Sequence, residues 1–131
     1  MILDAGLLIA VDREERAARS FLAAAVRTDE VLRTTAPVVA QVWRDGRRQA
    51  RLAQFLATLD IHPFDRADAG AVGKILSNSG TADVVDAHLV VLAVQIGDGI
   101  ITSDAHDFAV LVGHLGSDAP KIHHWQHESR R

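Results

Sequence analysis

The sequence predicts an α/β fold with helices on both faces of a central parallel sheet. Three observations predict it. Short apolar runs alternate with longer segments of helical spacing, which implies crossover connections between parallel strands. Two of the short runs, Ile2-Leu3-Asp4 and Ile100-Ile101-Thr102-Ser103-Asp104, end in a carboxylate. The segment 83–96 is apolar nearly all round, as a helix buried between layers is.

In order, residues 2–4 read as a short buried strand. Residues 13–27 read as a helix, with Ala17, Phe21, Leu22 and Ala25 near 3.6 spacing. Residues 31–35 form a second strand. Pro37 suits the first turn of a helix carrying Val38, Val39, Val42 and Trp43, which Gly46 breaks or bends. Residues 47–59 continue as a helix, with Leu52, Phe55, Leu56 and Leu59 on one face. Residues 61–64 make a short strand, at an edge because Pro63 has no amide hydrogen to give. Residues 68–76 form a helix that ends near Gly80. Thr81 can cap the helix at 83–96. The chain turns at 97–99 into a strand at 100–102, then a helix at 108–115 and a last strand at 121–125.

The 131 residues suit a single domain spanning 1–131. A hydrophobic share of 48% is too high for disorder. No apolar run reaches 18 residues, so no membrane span is expected. No basic region followed by an apolar stretch marks an export signal, and the expected location is cytoplasmic. The absence of cysteine excludes disulfides and thiolate metal sites. Net charge is −3, so any attraction for nucleic acid must come from a local basic patch.

In open α/β sheets the functional crevice lies beyond the carboxyl ends of the strands. Asp4 and Asp104 each follow a strand, so both belong to that edge. Asp86 stands near the start of a helix, where an anion is favoured, and Asp83 lies three residues earlier on the same face. Grouped carboxylates repel unless a cation lies among them or water screens them. An all-oxygen donor set points to a hard divalent ion, and so to phosphate chemistry. Bland alternatives stand beside this one. Asp83 can be a helix cap with Asp86 solvated, and Asp104 with Asp107 can be a turn residue and a cap.

Four segments carry a family resemblance: Ile2-Leu3-Asp4-Ala5-Gly6, Pro37-Val38-Val39-Ala40-Gln41-Val42-Trp43, Ser79-Gly80-Thr81-Ala82-Asp83-Val84-Val85-Asp86-Ala87, and Ile101-Thr102-Ser103-Asp104-Ala105-His106-Asp107-Phe108. Together they resemble the PIN-domain family, and within it the VapC-like toxins of type II toxin–antitoxin systems. The resemblance implies a three-layer α/β/α sandwich around a parallel sheet of four to five strands. It implies an endoribonuclease using Mg²⁺ or Mn²⁺, a cognate antitoxin protein as partner, and a homodimer. Carried over residue by residue, Asp4, Asp86 and Asp104 are the catalytic and metal-holding acids, with Asp83 as an extra one. Gln41, Ser103 and Asp107 stand behind them. Gln41 occupies a position where that family usually has Glu, and Gly6 one where Ser or Thr is frequent. Gln keeps an acceptor oxygen and loses the charge, so a second reading is a weakened domain that binds RNA or an antitoxin without efficient cleavage.

Arg44, Arg47, Arg48 and Arg51 share one helical face if the helix runs through Gly46. They offer contacts to RNA phosphates or to acidic groups of a partner, and equally make an ordinary solvated face. His123, His124 and His127 suggest zinc, but a strand places the first two on opposite sides, which favours surface histidines. Trp43 and Trp125 read as core or interface anchors. A phospho-receiver needs an acidic pair after the first strand, and Asp4 has no acidic neighbour. A haloacid-dehalogenase-type phosphatase needs a second Asp where Gly6 stands.

Overall fold

The structure, a computed structural model, describes residues 1–126. The chain enters as strand β1 (Ile2–Leu3) and turns at once into helix α1 (Ala5–Asp12), then α2 (Arg16–Arg27). Strand β2 (Arg33–Thr35) leads into α3 (Ala36–Val42) and α4 (Ala50–Leu56). Strand β3 (Asp60–His62) leads into α5 (Arg66–Ser79) and α6 (Val84–Ile96). Strand β4 (Ile100–Thr102), helix α7 (Ala105–Val112) and strand β5 (Ile122–His124) complete the order.

The five strands form one parallel sheet in the order β3-β2-β1-β4-β5. β1 is central: Ile2 is in register with Arg33 on one side and Ile100 on the other, and Leu3 with Ile101. β2 and β3 step away to one side, β4 and β5 to the other. The chain therefore reverses direction across the sheet between β1 and β4, which is where such sheets open a crevice at their carboxyl edge. Helices α2, α3 and α4 pack on α1, whereas α5, α6 and α7 pack on one another.

The core explains the strands and the central helices. Ile2, Leu3, Leu7, Leu8, Leu89, Val90 and Ile100 are fully buried, and Phe108 nearly so. Each such side chain contributes roughly 1.5–3 kcal/mol over remaining exposed. The expected apolar helix is α6, buried from Ala87 to Ala93 and stopped by Gly97 at φ 68°, a left-handed conformation that glycine takes without strain.

Several expectations change. α1 fills residues 5–12, where no element was expected, because Leu7, Leu8, Ala10 and Val11 are buried. α7 starts three residues before the expected 108. β3 is an edge strand as expected, but Pro63 lies just past it. α3 ends at Val42 and α4 starts at Ala50, so no helix runs through Gly46. Arg44, Arg47 and Arg48 therefore lie on the connection, with only Arg51 on α4, and the shared helical face does not exist. Trp43 caps α3 and is 37% exposed, so it is no core residue, whereas Trp125 packs against the core.

Candidate functional site

The site begins with Asp4, delivered by β1 to the reversal point of the sheet. The residue is buried, and one carboxylate oxygen caps α1 by accepting the amide of Leu7 at 3.2 Å. The other oxygen accepts the hydroxyl of Thr102, the last residue of β4, at 2.5 Å. The Thr102 hydroxyl in turn accepts the amide of Asp104 at 2.9 Å. One buried hydroxyl thus ties together the two carboxylate-bearing turns. Thr102 was not singled out in the sequence. A polar residue within an apolar strand, two places before an Asp, was the available signal.

Asp83 and Asp86 arrive from the other side, on α6. Asp83 is the N-cap, accepting the Asp86 amide at 2.9 Å. The cap is therefore Asp83 and not Thr81, whose hydroxyl instead pairs with Ser79 at 2.9 Å. Asp86 is half-buried, and its carboxyl is pushed up to about 7. Burial is the largest cause, followed by the charge and hydrogen bond of Asp83 and then by the charges of Asp4 and Asp104. All four aspartates thus converge on one region of the carboxyl edge. Among the described residues, no Lys, Arg or His forms an ion pair with Asp83, Asp86 or Asp104.

The remaining candidates distribute unevenly. Asp107, exposed on the first turn of α7, joins Asp83 and Asp86 around a small cavity of about 140 Å³ with Thr81, Val110 and Leu111. The Ser103 side chain makes no hydrogen bond among the described residues. Gln41 is exposed on α3 and also forms no side-chain hydrogen bond among them. The arginines serve local structure. Arg44 donates to the carbonyls of Ala40 and Trp43, Arg51 pairs with Glu14 at 2.9 Å, and Arg48 lies 3.9 Å from Asp45. His123 and His124 are exposed on β5, and His127 lies outside the described residues.

The carboxylates can be tested as a metal site. As placed, no group of three or more His, Cys, Asp or Glu among the described residues is arranged to hold a metal ion. The charge pattern nevertheless fits one. Burial and three carboxylate neighbours push the Asp86 carboxyl up to about 7, and a divalent cation would relieve the repulsion among them. Mg²⁺ keeps several waters and is held by one or two carboxylates. The fit is therefore to a water-rich ion, not to a closed protein shell.

The fold and the site define an open, parallel α/β domain with an acidic crevice at its reversal point. No family model matches the chain. No curated protein matches it. Solved structures do resemble it, among them two DNA-bound assemblies. One is the crystal structure of VapBC2 from Rickettsia felis bound to a DNA fragment from their promoter, with 14% identity over 95% of this chain and 98% of that chain and a TM-score of 0.70. The other is FitAB bound to an IR36 DNA fragment, with 17% identity over 99% of both chains and a TM-score of 0.66.

The expectation of a VapC-like toxin of the PIN-domain family is corrected by these findings. The structures resembled are DNA-bound assemblies, and at such identities the likeness carries the fold and no family. The motifs behind the expectation also have a second physical origin. Asp4 and Asp83 are helix caps, which any α/β chain needs where a strand or loop hands over to a helix.

Proposed function

We propose that this protein is a metal-dependent nuclease that hydrolyses RNA phosphodiester bonds and works within a toxin–antitoxin system. The observation that carries the reading is the convergence of Asp4, Asp83, Asp86 and Asp104 at the reversal point of the sheet, with the Asp86 carboxyl raised by burial and by its neighbours. Asp86 and Asp104 would hold Mg²⁺ or Mn²⁺, with Asp4 reaching it through water. When bound, such an ion supplies Lewis acidity and lowers the pKa of a water. The chain's own contribution is threefold. Thr102 fixes the Asp4 carboxylate relative to Asp104. Asp83 holds the first turn of α6. Asp86 would give up its proton to offer a carboxylate to the ion. Right-handed crossovers would place α1–α4 on one face of the sheet and α5–α7 on the other, giving three layers.

The likeness to VapBC2 and FitAB assemblies supports a role in a toxin–antitoxin pair, with a cognate antitoxin as partner. RNA as substrate is the expectation of the sequence motifs. A second reading, a domain that binds RNA or the antitoxin and cleaves poorly, is favoured by one observation: the carboxylates as placed form no three-ligand set among the described residues. Single-turnover cleavage of single-stranded RNA, with Mn²⁺ and with chelator, decides between them. Cleavage that needs the metal and is lost in Asp86→Asn and Asp104→Asn supports the nuclease. Binding without metal-dependent cleavage supports the second reading.

A further inference from the structure

Beside the carboxylates, the first turn of α6 and helix α7 line the half-open cavity of about 140 Å³. Pockets for drug-sized ligands run to ~300–1,000 Å³, so this one suits a single ring system. Its floor is apolar: Leu111 is buried, and Val110 is left 39% exposed, with its side chain on the cavity. Its rim is the reverse. Asp83, Asp86 and Asp107 offer acceptor oxygens, and Thr81 offers a hydroxyl already paired with Ser79. Among the described residues, no cationic side chain lines it. A ligand with an apolar face and N–H donors along one edge would satisfy both parts of this lining.

We propose that this cavity is a nucleobase subsite that seats the base next to the scissile phosphate and prefers guanine. This rests on the nuclease reading above. Every base has a flat face that can lie against the exposed Val110. Only guanine presents two adjacent donors, N1–H and the N2 amino group, which match the two oxygens of one carboxylate. Uracil offers one N–H between two carbonyls, and those carbonyls would face carboxylates. Asp107, exposed on the first turn of α7 and lining the cavity, supplies the discriminating acceptor. Val110 supplies the wall.

The test uses fluorescein-labelled 12-mers of uridine carrying one central guanosine, inosine or uridine, with the whole protein. Binding is read by anisotropy in Ca²⁺, and cleavage by single-turnover assay in Mn²⁺. Guanosine should bind and cleave on the order of tenfold better than uridine. Inosine, which lacks the amino group, should fall between. Asp107→Asn should erase most of that ratio, because an amide presents a donor as well as an acceptor. Val110→Phe should fill the cavity and reduce the ratio towards one, and Val110 is exposed enough that the fold should tolerate it. If all three oligonucleotides bind and cleave alike, or if neither variant alters the ratio, the subsite proposal is overturned while the nuclease reading stands. If none binds or is cleaved, both fall together.

Discussion

The hydroxyl of Thr102 donates to the carboxylate of Asp4 across the junction between β1 and β4, while accepting the amide of Asp104. Thr102 is fully buried and Asp4 nearly so. Thr102→Val keeps the shape and removes both bonds. A hydrogen bond to a charged group contributes ~1.5–3 kcal/mol, so urea denaturation should show a loss of that size. The same variant should weaken Mn²⁺ binding by calorimetry, because Asp4 is no longer fixed relative to Asp104. A normal urea midpoint would show that another group replaces the hydroxyl.

Asp86 sets a pH dependence. Its carboxyl is raised from 3.8 to about 7 in the folded protein. Between those values the folded state holds a proton that the unfolded chain has lost. The associated stability is fully present below pH 3.8 and is lost as pH rises through 7. Buried His88 acts in the opposite sense, since burial lowers its pKa and its protonation on acidification disfavours the fold. The difference in stability between wild type and Asp86→Asn isolates the first effect. Without metal, the variant should gain on wild type as pH rises from 5 to 8. Mn²⁺ affinity of the wild type should rise over the same range, with proton release visible in buffers of different ionisation enthalpy. A pH-independent difference between the two proteins would overturn the assignment.

Much of this site was legible because strand ends and helix starts follow simple rules. Asp4 and Asp104 follow strands that parallel topology must bring to one edge, and Asp86 lies where a buried helix begins. Other parts resisted for physical reasons. α1 is apolar on several sides, so Leu7, Leu8, Ala10 and Val11 show no clean period, and the capping role of Asp4 was hidden by reading it as a strand end. The arginine face depended on helix continuing through Gly46, and the chain instead leaves helix after Val42. In that connection Gln49 accepts the amides of Arg44 and Asp45 at 2.7 and 3.0 Å, stabilising the break. Thr102 escaped because a threonine in a strand is ordinary β-branched material until its partner is known.

The arginines should therefore act singly. Arg51→Ala breaks a surface pair with Glu14 in which both side chains are about half exposed, and its effect on stability should lie within ~0.2–1 kcal/mol. Arg47 and Arg48 are exposed on the α3–α4 connection. If both touch phosphates, the double change to Ala should lower the salt slope of RNA binding by ~1.4, at ~0.7 per contact on a single strand. The urea midpoint should stay where it was. An unchanged slope would leave them as solvated side chains.

Gln41 should limit activity. It lies on α3, the helix that Thr35 caps directly after β2, the neighbour of β1 in the sheet. Its side chain is exposed and forms no hydrogen bond among the described residues, so Gln41→Glu introduces a charge without breaking a contact. The change is nearly isosteric, and the fold should be undisturbed. An ion held by Asp86 and Asp104 would gain one more negative neighbour, and its affinity should rise. A tenfold gain in cleavage needs only ~1.4 kcal/mol of transition-state stabilisation, which is small for a charge near a metal. The measurement is single-turnover RNA cleavage at fixed Mg²⁺, with Mg²⁺ affinity taken separately. Higher affinity with faster cleavage places position 41 beside the ion. Equal rates and equal affinity would put position 41 outside the ion's reach, with Asp83 left as the supplier of the extra charge.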